Sequence, residues 1–234
     1  MMLKMNIPLY GDGKGFVELV DAVGSDLSVV NSARVSFGKH KSELDEKDKK
    51  LIKYLIKHKH TSTLEHCFVT FRVKVPLFVR SQHHRHRTWS YNEISRRYTD
   101  FDIQFYEPKA FRTQHKSNRQ ASNAEDLINP VLSNWNLEAS ESIRHHHQAS
   151  LQLFEELIES GVCREQARGV LPQNMLTEYY ATVNLNNLFK FIILRTHEGA
   201  QVEIQEVARA MLAIIEELYP KTVKYFKESQ GELH

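Results

Sequence analysis

Apolar residues return at every second position between Cys67 and Val75. Cys67, Val69, Phe71, Val73 and Val75 alternate with Phe68, Thr70, Arg72 and Lys74. That period predicts a half-buried strand with one face on a core. Elsewhere the period is helical. Leu51, Ile52, Leu55 and Ile56 predict a helix between Asp45 and His58. Leu27, Val30 and Ala33 predict another, capped by Ser25 or Asp26. Pro76 suits the first turn of a helix from Leu77 to about His86. A long helix is expected from about Leu137 to Ser160, stopped by Gly161. A short helix around Arg164 to Val170 should end at Pro172. Leu185 to Arg195 reads as helix, as does Val202 to Leu218, which ends before Pro220.

Further strands are expected at Phe16 to Val20, at Thr177 to Val183, and at Ile103 to Tyr106 paired with an earlier strand. Residues 88 to 98 read as a structured loop. Residues 107 to 134 carry few periodic apolar positions and read as a long surface excursion. Strands and helices follow one another without regular βαβ alternation, which predicts an α+β fold. The length of 234 residues suits one compact domain spanning the whole chain, 1–234.

Composition narrows the class. The longest apolar runs are as short as Phe191 to Leu194, so no segment is expected to span a bilayer. Lys4 and Asn6 interrupt any apolar signal core at the N-terminus, and an intracellular, cytoplasmic protein is expected. The two cysteines, Cys67 and Cys163, lie far apart and in no CxxC spacing, which argues against a disulfide or a zinc–thiolate site. The formal charge of +2 is too small to imply nucleic-acid binding. Its distribution says more. Residues 80 to 97 hold five arginines and three histidines against one glutamate. Such a cluster is costly unless an anion or a partner compensates it.

Within that stretch, Gln82, Arg85 and His86 are spaced i, i+3, i+4 and would share a helix face. They can present an amide, a guanidinium and an imidazole to one ligand. Arg85 and Arg87 offer planar donor forks suited to phosphate. Ser95, Arg96 and Arg97 combine a hydroxyl, guanidinium groups and loop amides, which suits a second anionic group. Glu93 is the lone acceptor, placed to take a ribose hydroxyl or to orient an arginine. From charge alone, a solvated basic face is the plainer reading.

The order of residue types changes that balance. Arg85-His86-Arg87, then seven residues, then Ser95 resembles the RHRx7S signature of the flavin-dependent thymidylate synthases. The resemblance extends to Gly15–Asp21, Ala33–Phe37, His60–His66, Ala167-Arg168 with Val170-Leu171-Pro172, Thr182-Val183-Asn184, and Leu194-Arg195 with Ala200-Gln201 and Glu203-Ile204. Residues 107 to 134 match least.

The resemblance implies a single α+β domain, a mainly antiparallel sheet flanked by long helices. It implies reductive methylation of dUMP to dTMP, with 5,10-methylenetetrahydrofolate as carbon donor and FAD with NADPH as reductant. By the same likeness, Gln82, Arg85, Glu93, Ile94, Ser95, Arg96, Arg97, Arg168 and Arg195 would line the dUMP site. A backbone role suits position 96, where relatives often carry glycine. Arg168 would reach the phosphate. Arg195 would be catalytic, favouring ionisation of the uracil at N3. FAD would be held by His60, Ser62, Glu65, Arg85, His86, Arg87, Thr88, Glu93 and Asn184. A homotetramer with active sites at subunit interfaces is implied, with no cysteine nucleophile, no metal, no nucleic acid and no membrane. Three positions depart from the family pattern: Thr63 stands where proline is frequent, Lys190 replaces an asparagine or arginine, and Gly199 replaces a histidine, with His197 nearby.

Two other readings compete. His58, His60 and His66 with Glu65 have better metal-ligand spacing than the consecutive His145, His146 and His147, which point in different directions on a helix. A metal-dependent hydrolase is therefore the runner-up enzyme. An RNA-binding module would use residues 80 to 97 with Trp89, Tyr91 and Tyr98 as stacking platforms. That reading leaves Ala167-Arg168, Asn184 and Arg195 without a role.

Overall fold

The computed structural model describes residues 5–231. Its strands in chain order are β1 (Asn6–Pro8), β2 (Phe16–Val23), β3 (Phe68–Pro76), β4 (Ser90–Glu93), β5 (Phe111–Gln114), β6 (Ser122–Ile128), β7 (Val131–Leu132), β8 (Leu137–Glu138) and β9 (Leu176–Asn184). The helices are α1 (Asp26–Arg34), α2 (Glu46–Lys57), α3 (Leu77–His83), α4 (Ala139–Glu159), α5 (Arg164–Ala167), α6 (Leu185–Thr196), α7 (Val202–Leu218) and α8 (Pro220–Gln230). Five strands form one antiparallel sheet in the order β1-β2-β3-β9-β4. The fold is α+β with an antiparallel sheet flanked by helices, in agreement with the sequence.

The alternation in β3 places Val69, Phe71, Val73 and Val75 on the buried face, each fully enclosed. They meet Val17 and Leu19 of β2, Tyr179, Ala181 and Val183 of β9, and the apolar stripes of α6 and α7 in one continuous core. The opposite face is polar. The directly opposed Thr70 and Thr182 hydroxyls lie 2.9 Å apart, and Arg72 bridges Glu18 and Glu178 on the two neighbouring strands. A smaller apolar cluster, Phe105, Phe154, Ala167, Leu171 and Met175, joins α4 and α5 to the segment before β9.

Several expectations are corrected. The helix after Pro76 stops at His83, so Arg85 and His86 lie in the turn beyond it and not on a shared helical face with Gln82. The loop 88–98 contains β4, paired with β9. Ile103 to Tyr106 forms no strand with β3; Phe105 makes a single antiparallel bridge to Met175. The excursion 107–134 contains the β5–β6 hairpin and β7, which pairs with β8. The chain does not leave its helical course for long after Leu218. Pro220 is the first residue of α8, and the buried Asp26 carboxylate caps it, accepting from Lys221 N (2.9 Å), Thr222 N (2.8 Å) and the Thr222 hydroxyl (2.6 Å).

Candidate functional site

β9 organises the site because its two ends carry different groups. At its start, Thr177 donates its hydroxyl to Glu93 Oε1 at 2.6 Å, and Arg80 Nε donates to the same oxygen at 3.1 Å. Glu93 therefore orients an arginine, one of its two expected roles. Around this pair lies a cavity of about 640 Å³, lined by Arg80, Glu93, Ile94, Ser95, Arg96 and Arg168 among others. Arg168 stands exposed on its wall, in a 3₁₀ turn after α5. Arg96 is buried, and its guanidinium donates to the Phe101 carbonyl at 2.7 Å. Its charge thus braces the following loop, which agrees with a backbone role towards a ligand. Ser95 Oγ accepts from Arg97 N at 3.3 Å, shaping the turn that bears both.

A second group lies around Arg195 near the end of α6. Arg195 Nε donates to His86 Nε2 at 3.1 Å, and Nη2 donates to the Gln82 carbonyl at 3.2 Å. Nη1 has no protein partner among the described residues. His86 must be neutral to accept, and burial together with the Arg195 charge pushes it down to about 4. Beneath it His83 is fully enclosed, within hydrogen-bonding distance of the Tyr179 hydroxyl (2.8 Å) and ringed by Trp89, Tyr91 and Phe191. This aromatic base fixes the turn from which Arg85, Arg87 and Thr88 project into solvent. The Arg85 and Arg87 guanidiniums have no carboxylate partner among the described residues.

A third group gathers at the far end of β9. Asn184 caps α6, its Oδ1 accepting from Asn187 N at 2.9 Å, and its amide NH2 has no protein partner among the described residues. Glu65 Oε1 accepts from Asn186 Nδ2 at 2.8 Å, and Ser62 is exposed in the adjoining 3₁₀ turn Thr61–Leu64. Thr63, where relatives often carry proline, closes that turn by donating its hydroxyl to the His60 carbonyl at 3.1 Å. The His60 ring stacks near Tyr54, centroids 5.7 Å apart. Among the described residues Lys190 Nζ reaches only Asn187 Oδ1, at 3.4 Å. His197 folds onto its own loop, accepting from Gly199 N at 3.0 Å.

The three groups do not form one pocket in a single chain. Gln82, Arg97 and Arg195 are absent from the walls of the Glu93 cavity. Thr177 and Asn184 lie seven residue steps apart along β9, about 23 Å at 3.3 Å per step. Arg80, Thr177 and Gln201 are the polar groups that sequence reasoning left without a role. Only the count of arginines in 80–97 signalled the first; Thr177 and Gln201 reach their partners across gaps of 84 and 119 residues.

Among the described residues no group of three His, Cys, Asp or Glu side chains is arranged to hold a metal. The buried His147 faces Glu107 at 3.2 Å, stacked on Phe105, while His145 and His146 face outward. No helix among them is long and apolar enough to cross a membrane.

The Thy1 family, described as thymidylate synthase complementing protein, matches residues 18–221. A flavin-dependent thymidylate synthase of Thermus thermophilus is 45% identical over 215 residues, covering 92% of this chain and 76% of that protein. One from Thermotoga neapolitana is 43% identical over 222 residues, covering 95% and 94%. Among solved structures, the UMP/dUMP methylase PolB from Streptomyces cacaoi bound with 5-Br dUMP superposes with a TM-score of 0.80 at 34% identity, covering 95% of this chain and 97% of that one.

Proposed function

The chain belongs to the Thy1 family of flavin-dependent thymidylate synthases, and from that premise we propose how its residues divide the work of methylating dUMP to dTMP. 5,10-Methylenetetrahydrofolate would supply the carbon and NADPH the electrons.

The observation that carries the reading is Arg195, a half-buried guanidinium held at two of its three nitrogens with the third left over. A guanidinium that keeps its proton stabilises a uracil anion at N3 by charge and hydrogen bonding. Arg168, Ser95 and the amides at 96 and 97, with Arg85 and Gln82, would hold the rest of the nucleotide, Arg168 taking the phosphate. Ile94 would pack against it. Glu93, ion-paired to Arg80, keeps that donor aimed into the cavity.

The donor set fits a flavin dinucleotide. Arg85 and Arg87 lack internal acceptors among the described residues, which suits a pyrophosphate. Asn184 has an amide NH2 to offer, and Ser62, Thr88, His60 and Glu65 add neutral and acidic partners. FAD held there would supply reducing equivalents to the pyrimidine.

About 23 Å of β9 separates Thr177, beside the Glu93 cavity, from Asn184 within one subunit, so each complete site would draw these groups from different copies in a homotetramer. Val35, Phe37 and Leu194, all apolar and exposed, are surfaces such an assembly would cover. We read residues 1–234 as one domain working in the cytoplasm. The test is dTMP formation by FAD-loaded protein given dUMP, methylenetetrahydrofolate and NADPH, with UMP in a parallel assay because PolB is described as acting on both nucleotides. No FAD uptake, or no product from dUMP, would overturn the reading.

A further inference from the structure

The turn after α3 is where Arg195 gets its direction. Both hydrogen bonds that hold its guanidinium among the described residues end there, one on the His86 ring and one on the Gln82 carbonyl. An arginine side chain is long and carries much rotamer freedom. The aim of its free Nη1 is therefore only as firm as that turn.

The turn has little of its own to hold it. His86 N donates to the His83 carbonyl at 3.0 Å, and Arg85 N reaches the Gln82 carbonyl at 3.4 Å. A further tie comes from the sheet. Tyr91 of β4 lies opposite Ala181 of β9. Its hydroxyl donates to the His83 carbonyl at 3.0 Å and to the His86 carbonyl at 3.1 Å. Carbonyls only accept, so the phenol is the donor in both contacts, and burial pushes it above its ordinary pKa. The ring fixes the hydroxyl in turn. It stacks on His84 with centroids 4.1 Å apart and meets His83 edge-on at 5.4 Å. One hydroxyl thus pins both ends of the segment 83–86 to the sheet. His86, at the second end, carries the ring that accepts from Arg195.

We propose that Tyr91 is a positioning residue for the reaction: through the carbonyls of His83 and His86, its hydroxyl fixes the turn that aims the Arg195 guanidinium at the pyrimidine. This deepens the function proposed above and rests on Arg195 activating the uracil. A hydroxyl that merely capped the orphan carbonyls at the end of α3 would add stability and leave the chemistry alone. A positioning hydroxyl acts on the rate, because misplacing a reacting group by about 1 Å can cost on the order of a hundredfold.

The experiment measures dTMP turnover per bound flavin, at saturating dUMP, methylenetetrahydrofolate and NADPH, in Tyr91→Phe, Arg195→Ala and the double variant. Tyr91→Phe keeps the ring and removes only the hydroxyl. In the wild-type background its turnover should fall about tenfold or more, with the dUMP KM changing far less. In the Arg195→Ala background the same change should cost nothing further, because the group it positions is gone. Tyr91→para-aminophenylalanine, which restores two N–H donors for the two carbonyls, should recover turnover. If Tyr91→Phe keeps full turnover and only its urea midpoint falls, the hydroxyl is a cap and the proposal is overturned. An equal loss with and without Arg195 overturns it too, and so does a Tyr91→Phe protein that folds but holds no flavin. In each of those cases Arg195 keeps its own role. If Arg195→Ala itself turns over normally, the function assigned to Arg195 fails and this proposal with it.

Discussion

Arg195 donates from Nε to Nε2 of His86 across 3.1 Å, a bond that exists only while that ring nitrogen is bare. Burial and the Arg195 charge push His86 to about 4. In the unfolded chain a histidine titrates near ~6.5. Below that value the unfolded chain binds a proton that the folded chain refuses. The stability held at neutral pH is therefore lost as pH falls from about 6.5 towards about 4. His83, His84 and His147 are lowered too, mainly by burial, so the wild-type profile alone does not isolate His86. Melting temperatures of wild type and His86→Gln, taken across this range, should converge as the pH falls. Parallel profiles would show that His86 is not the group.

Arg195→Ala would remove the charged donor proposed to face the developing uracil anion. Such a loss costs about 2–4 kcal/mol, or roughly two to three decades in turnover. Flavin content, read by absorbance, should survive, because Arg195 is not among the proposed flavin contacts. Arg168→Ala should instead raise the dUMP dissociation constant, with a smaller effect on turnover at saturation. Near-normal turnover by Arg195→Ala would remove it from the chemistry.

Asp26 ties the two ends of the described fold together. Asp26 is 5% exposed, and its carboxylate accepts three hydrogen bonds at the start of α8. Asp26→Ala would leave the two amides and the Thr222 hydroxyl without acceptors, at a cost of about 1–3 kcal/mol. Urea midpoints measure it, and Asp26→Asn, which keeps one acceptor oxygen, should lose less. An unchanged midpoint for Asp26→Ala would mean that water replaces the cap.

Asp26 also shows why some elements were illegible in the sequence. α8 follows Pro220, and Tyr219 before it provides no side-chain cap. The cap comes from 195 positions earlier, beyond any local window. β3, α2 and α7 were legible because each buries one face at a regular period. The β5–β6 hairpin has no such face; it is fastened by Arg112 to Glu203 and by Thr113 to Asp126 at 2.6 Å. In the site, Arg85-His86-Arg87 and Ser95 were legible as a spaced motif. The Arg80–Glu93–Thr177 cluster was not, because its last member joins through strand pairing alone. The helix predicted to His86 ends at His83, and that early end lets His86 reach Arg195 on a different element.

The cysteines decide whether a thiolate attacks the pyrimidine. A nucleophilic thiol needs access and a lowered pKa. Cys67 has neither. It is fully enclosed, its Sγ lies 3.9 Å from the Ser25 carbonyl, and burial pushes the thiol up to about 11. Its neighbour Gly24 has φ +95° and packs so closely that a side-chain carbon there would come 2.8 Å from the sulfur. Cys163 is exposed, but it sits at the start of the four-residue α5 with its Sγ 3.5 Å from Gln166 Oε1, and it is not on the wall of the Glu93 cavity. Ser95 Oγ is occupied by Arg97 N and has no basic side chain bonded to it among the described residues. A Cys67→Ala, Cys163→Ser double variant should therefore retain most of the NADPH-dependent dTMP formation. It should lose about 1 kcal/mol of stability from the space left at Cys67, read as a lower urea midpoint. If that variant folds, binds FAD and dUMP, and makes no dTMP, a cysteine takes part in the reaction and Arg195 does not activate the uracil alone.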